Sequence, residues 1–182
     1  RHMSDLASMA TALGSTMRYT ISGNEPLVSL REELSYVENY LTIQKLRFGE
    51  RLHAEIDVPE YVMGCAVPRV SIQPLVENAI LHGLEQREKP GTIRIGAWTA
   101  GDRLTIEVTD DGQGMTEEEL AQLRSALYAP SPAEERRGIG LRNLYMRLRL
   151  LYDETAQLTL DSEEGIGTVV QIVIPMERRC GL

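Results

Sequence analysis

The chain has 182 residues, 42% of them apolar, and a formal net charge of −8. That length fits one domain, or one domain with an appendage, and can bury a core without disulfide or metal staples. The acidic balance excludes a nucleic-acid surface as the main role, because neutralising a phosphate backbone needs clustered Lys and Arg.

Arg1, His2 and Met3 read as a vector remnant, and the chain as a fragment of something longer. In residues 4–20, Leu6, Met9, Leu13 and Met17 recur at spacings of three and four, one apolar stripe on a helix. A turn at Ser22-Gly23-Asn24-Glu25-Pro26 ends it. Ser29 and Glu32 then form a capping box, and Leu30, Leu34, Val37 and Leu41 predict the buried face of a second helix to about Phe48. Tyr36, Tyr40, Ile43 and Arg47 make a second, more polar stripe. Both helices read as packing elements or connectors.

From Arg51 the period changes to two. Leu52, Ala54 and Ile56 predict a strand that stops before Pro59, followed by a loop containing Gly64 and Pro68. The stretch from Ser71 to Leu84, SIQPLVENAILHGL, is a core helix in which Ile72, Leu75, Val76, Ala79 and Ile80 can be buried together. Pro74 is tolerated in its first turn, where N–H groups lack helical partners. Asn78 and His82 fall one turn apart on another face. Two readings stand for them: ordinary hydrogen bonding at the core edge, or a polar site in which Asn78 ligates a hard cation and His82 donates to phosphates.

Gly91 opens a strictly alternating hairpin of Ile93, Ile95, Ala97 and then Leu104, Ile106, Val108, turning at Gly101-Asp102. Its second strand runs into Asp110-Asp111-Gly112-Gln113-Gly114-Met115. Thr116 and Glu119 cap a short helix to about Leu127, and residues 128–137 lack periodicity and read as a mobile lid. Gly138-Ile139-Gly140-Leu141 opens a helix with Leu141, Leu144, Leu148 and Leu151 on one face. A strand at Leu158 and Leu160, a turn at Glu163 to Gly167, and a strand at Val170, Ile172 and Ile174 complete the chain. The predicted fold is α+β, a two-layer sandwich of a mostly antiparallel mixed sheet with helices on one face, preceded by amphipathic helices.

No run approaches the length of a membrane span and no export signal opens the chain. Cys65 and Cys180 form no metal-ligand spacing and point to a reducing compartment.

Asp110-x-Gly112-x-Gly114 at a strand end is either a tight acidic turn or a carboxylate that accepts from an amine, with glycines that admit a flat base. Gly138-x-Gly140 before a helix either ends a flexible segment or offers free N–H groups and a positive dipole end to phosphates. It is not a dinucleotide fingerprint, because no strand precedes it and Asn143 stands at the third glycine position. Gly165-x-Gly167-Thr168 is explained equally well by a hairpin turn.

In order, these pieces resemble the N, G1, G2 and G3 boxes of the GHKL superfamily of ATP-binding domains. The wording is closer still to sensor histidine kinases of the LytS/YesM-like subfamily: YLTIQKLRFGERL, QPLVENAILHG, DDGQGM and GIGLRN. The resemblance covers about Pro26 to Pro175. It implies ATP and Mg²⁺ as ligands. Asn78 would hold the metal and His82 would contact the phosphates. Asp110 would accept from the adenine amine, with Thr168 helping through water and Gly112, Gly114 and Met115 shaping the base pocket. Gly138, Ile139, Gly140 and Leu141 would cradle the phosphates, with Arg137 or Arg142 as cationic helpers.

It further implies a domain order of 4–25 as the end of a dimerisation and phospho-acceptor helix, 26–50 as a connecting helix, 51–176 as the ATP-binding domain and 177–182 as a tail. The implied protein is a bacterial inner-membrane kinase with this part in the cytoplasm, a homodimer at full length, that serves a response regulator. Three departures matter. No Asn-Pro-His-Phe acceptor context is present, so the fragment is not expected to phosphorylate itself. Leu81 stands where the family usually has Lys. Pro74 stands at the position of the water-activating Glu in gyrase-type ATPases, which argues against hydrolysis. A non-catalytic nucleotide-dependent binding module, or another GHKL ATPase or serine kinase, remain the alternatives.

Overall fold

The computed structural model describes residues 25–85, 89–128 and 139–176. Its centre is a five-stranded sheet of β2 (Leu52–Asp57), β4 (Gly91–Ala100), β5 (Arg103–Asp110), β6 (Gln157–Glu163) and β7 (Gly167–Pro175), in the order β2-β4-β5-β7-β6. β2 runs parallel to β4 and every other pairing is antiparallel. Alternation decides which face is covered. Ile93, Ile95, Leu104, Ile106, Val108, Leu158, Leu160, Val170, Ile172 and Ile174 are all at most 3% exposed and share the face that meets the helices.

Among the described residues four α-helices supply the other layer: α1 (Leu30–Phe48), α2 (Gln73–Asn78), α3 (Glu117–Tyr128) and α4 (Ile139–Tyr152). α1 starts at the predicted capping box, with the Ser29 hydroxyl accepting from the Glu32 N–H and the Glu32 carboxylate accepting from the Ser29 N–H at 2.9 Å. That bonding, the side-chain bond to Ser29 first, holds the Glu32 carboxyl below its usual range. α3 begins at the Thr116 and Glu119 box. It also closes the free edge of β6, because Arg124 donates to the Leu160 carbonyl and the Tyr128 hydroxyl to that of Leu158.

Several expectations need correction. Residues 66–68 are not loop: β1 (Leu27–Ser29) and β3 (Ala66–Pro68) form a separate antiparallel pair that ties the start of α1 to the segment leading into α2. Tyr36 is 5% exposed and belongs to the buried face of α1 rather than to a polar stripe. The Ser71 to Leu84 helix is not uniform; after Asn78 it widens into one π-helical segment, Ala79–Leu84. Cys65 is buried in the core, and Cys180 lies outside the described residues. The 4–20 helix and most of the 128–137 segment lie outside the described residues, but Tyr128 itself closes α3.

Candidate functional site

At one end of the sheet the core-facing phase turns polar. Continuing Leu104, Ile106 and Val108 by two residues reaches Asp110, and the phase of Val170, Ile172 and Ile174 reaches back to Thr168. Both are 4% exposed. Register places Asp110 opposite Thr168 and Thr168 opposite Ser162, a polar row across three strands beneath the helices. The hydroxyls of Ser162 and Thr168 are 2.9 Å apart, and Ser162 Oγ also accepts from the Met115 N–H at 2.9 Å. Ser162 thus pins the loop after β5 to the sheet.

Glycines make this end possible. The Gly112 N–H donates to Asp110 Oδ1 at 2.9 Å, and a Cβ on Gly112 would stand 2.2 Å from the Gly83 Cα. A Cβ on Gly83 would stand 2.4 Å from Asp110 Oδ1. Gly114 has a φ of +64° and lies so close to the Glu163 carbonyl that a Cβ would meet it at 1.9 Å; Gly167 is as tight against the Asp110 carbonyl. The Asp110 loop, the turn before β7 and the end of the Asn78 helix therefore meet backbone to backbone. Sequence reasoning passed over two participants, Gly83 and Ser162. The signal for Ser162 was available, since a polar residue two positions after Leu160 occupies the apolar phase.

Asn78 ends α2 and is 6% exposed, and its Nδ2 has no hydrogen-bond partner among the described residues. A buried amide with one uncommitted end has room for a water or ligand partner, and a flip of the amide would bring Oδ1 to that position. Among the described residues no three His, Cys, Asp or Glu side chains gather as a metal site. A cation here would take Asn78 from the protein and fill its shell with water and ligand phosphates, a donor set that suits Mg²⁺. His82 is half-buried in the π segment, where Glu85 N–H bonds to the Ile80 carbonyl five residues back.

At the far end, Gly140 packs its Cα side toward Pro74, where a Cβ would lie 3.6 Å from the Pro74 Cβ. From Gly83 back to Pro74 the helix runs roughly 13 Å, so a ligand that touches both ends must be elongated. Ile139 and Gly140 are exposed, Leu141 is buried in the core so that only its backbone is available, and Arg142 is half-buried. Arg137 and Gly138 lie outside the described residues, and Met115 is half-buried beside the glycine loop.

The carboxylate next to Asn78 is engaged elsewhere. Glu77 accepts from Gln73 Nε2 at 2.6 Å, and its charge faces Tyr40 of α1, whose hydroxyl is pushed up to about 12 by burial first and by Glu77 second. No acid is left at Pro74 to activate water. Leu81 is 47% exposed.

Residues 69–178 match the family described as histidine kinase-, DNA gyrase B-, and HSP90-like ATPase, and residues 1–52 match the histidine kinase family. Sensor histidine kinase YesM of Bacillus subtilis is 36% identical over 170 residues, covering 93% of this chain and 28% of that protein. Sensor protein kinase HptS of Staphylococcus aureus is 31% identical over 166 residues, covering 91% of this chain and 31% of that protein. The chain thus spans less than a third of the length of these relatives. Among solved structures, the histidine kinase domain of the Erythrobacter litoralis EL346 blue-light activated histidine kinase superposes with a TM-score of 0.59 at 19% identity, covering 97% of this chain and 76% of that one. The catalytic domain of histidine kinase ThkA gives 0.55 at 19% identity, covering 82% and 93%. The α+β sandwich and the long match across its sheet and helices agree, and the chain belongs to the histidine kinase-, DNA gyrase B- and HSP90-like ATPases.

Proposed function

We propose that this chain binds Mg²⁺-ATP along the Asn78 helix and, within its full-length protein, donates the γ-phosphoryl group to a histidine on an upstream helix for relay to a response regulator. The observation that carries the reading is Asp110, a buried carboxylate that ends the core-facing phase of β5 and against which only glycine backbone, Gly83 and Gly112, packs this closely. Asp110 accepts from the adenine amine and Thr168 helps through water, while Gly112, Gly114 and Met115 shape the base pocket. His82 contacts the phosphates. The N–H groups of Ile139, Gly140 and Leu141, with Gly138 ahead of them, meet the terminal phosphates with Arg137 or Arg142 beside them.

Asn78 would hold Mg²⁺, and the ion would supply charge neutralisation for the bound phosphates. The chain's own contribution is positioning, which suffices for phosphoryl transfer because little covalent chemistry falls to the protein. Residues 4–25 would end the dimerisation helix, 26–50 connect it, 51–176 form the nucleotide domain and 177–182 a tail. Dimerisation and inner-membrane anchoring belong to the full-length protein; no helix among the described residues is long and apolar enough to cross a membrane. Leu81, exposed where the family usually has Lys, favours a second reading as a nucleotide-dependent binding module without transfer activity.

Calorimetric titration with a non-hydrolysable ATP analogue, with and without Mg²⁺, tests the site. Saturable binding is expected. Asp110→Asn turns an acceptor toward a donor and weakens it by about 10- to 100-fold, and Asn78→Ala removes its Mg²⁺ dependence. No binding under any condition sinks the reading. Supplying an acceptor-helix peptide in trans with labelled ATP then separates the two readings, since only a kinase labels the histidine.

A further inference from the structure

α2 has no side-chain cap of its own; its N-cap residue is Ile72. The cap comes from another helix. Glu33, in the first turns of α1 and 0% exposed, accepts from the N–H groups of Val70 at 2.5 Å, Ser71 at 2.9 Å and Ile72 at 3.2 Å. A carboxylate in that position meets three amide donors and the positive end of the helix dipole. The residue it grips is itself unusual. Val70 has a φ of 55°, a left-handed conformation that a β-branched side chain disfavours and that persists only where the surroundings enforce it. Its carbonyl is held from the opposite side by Arg147 Nη2 of α4 at 2.6 Å. One disfavoured residue is thus fixed through its N–H by α1 and through its C=O by α4, immediately before the helix that carries Asn78.

We propose that Glu33 is a positioning residue for nucleotide binding. With Arg147 it holds Val70 left-handed and so sets the start, and the axial position, of the Asn78 helix relative to Asp110 and the α4 N-terminus. This rests on the reading of the Asn78 helix as a nucleotide site. Without either grip Val70 relaxes toward the extended or right-handed region and the helix start moves with it. By reciprocity, nucleotide bound along α2 tightens the Glu33 grip, so α1 and the nucleotide site report on each other.

The test uses the 182-residue chain, the non-hydrolysable ATP analogue with Mg²⁺, calorimetry, and hydrogen exchange at the Val70, Ser71 and Ile72 amides. In the wild-type chain nucleotide slows exchange at these three amides. Glu33→Gln, isosteric but uncharged and carrying a donor toward donors, weakens binding about ten-fold and abolishes that slowing. Adding Val70→Gly, which adopts the left-handed conformation freely, restores part of the affinity, a recovery that a merely stabilising role does not produce. Should Glu33→Gln not fold, Arg147→Met removes the opposite grip and carries the same expectations. Wild-type affinity and exchange response in a folded Glu33→Gln or Arg147→Met chain, or no recovery with Val70→Gly, overturns the proposal and leaves the nucleotide site standing. A wild-type chain that binds no nucleotide overturns both.

Discussion

Asp110 is buried, yet nothing bulkier than glycine approaches its carboxylate from Gly83 or Gly112. That close packing is a property of three residues at once, and it makes Gly83 as demanding as Asp110. Gly83→Ala puts a methyl 2.4 Å from Asp110 Oδ1, which something must yield to. The expected cost is about 1–3 kcal/mol of stability, read as a lower urea midpoint. Titration should also show a loss of analogue affinity, because the carboxylate displaced is the one proposed to accept from the adenine amine. Gly64→Ala is the matched control, with nothing within 4 Å of the new methyl, and should change neither. Asp110 and the paired glycines were legible as a pattern in the sequence. Gly83 was visible only as a letter, since its role depends on a close approach that no periodicity encodes.

Among the elements, strands were easier to read than the way α1 is used. Alternation over β4, β5 and β7 is strict because one face of each is covered by helices. The β1 and β3 pair is too short to alternate, and the π segment escaped because Ala79, Ile80 and Leu84 are buried whether the helix is regular or widened. Glu33, three residues after Leu30 and four before Val37, falls within the apolar phase of α1, a charged residue at a buried position whose partners only the fold reveals. The stripe of α1 read as polar in fact meets the Asn78 helix: Tyr40 faces Glu77 and Arg47 pairs with Glu85. This contact gives a pH signature. Tyr40 holds its proton to about 12 in the folded chain against about 10 when unfolded. Between those values the folded state binds more protons, so stability is full below about pH 10 and falls as pH rises through 12. Urea midpoints measured from pH 9 to 12 should therefore fall less steeply in Tyr40→Phe than in the wild type, with little difference between them at pH 7. Parallel curves would place Tyr40 in contact with water rather than with Glu77.

For the whole molecule, the same buried cluster runs from Leu30, Leu34, Val37 and Leu41 of α1 through the Asn78 helix to the sheet. A core shared in this way has no seam along which α1 could melt separately, so unfolding should be a single cooperative transition. The proposed nucleotide lies between the helix layer and the end of the sheet, and a ligand that binds only the assembled layers must raise the stability of all of them by mass action. At a hundred times its Kd the analogue contributes about 2.7 kcal/mol, which for a chain of this size corresponds to a Tm rise of about 5–11 °C. Differential scanning calorimetry with Mg²⁺ and analogue should show one transition moved by that amount. In Asn78→Ala the shift should no longer respond to Mg²⁺. If α1 were only a connector, the ligand would split the trace, with a first transition unmoved and a second displaced. One displaced peak, in contrast, means that whatever pulls on α1 pulls on the nucleotide site as well, because neither can unfold without the other.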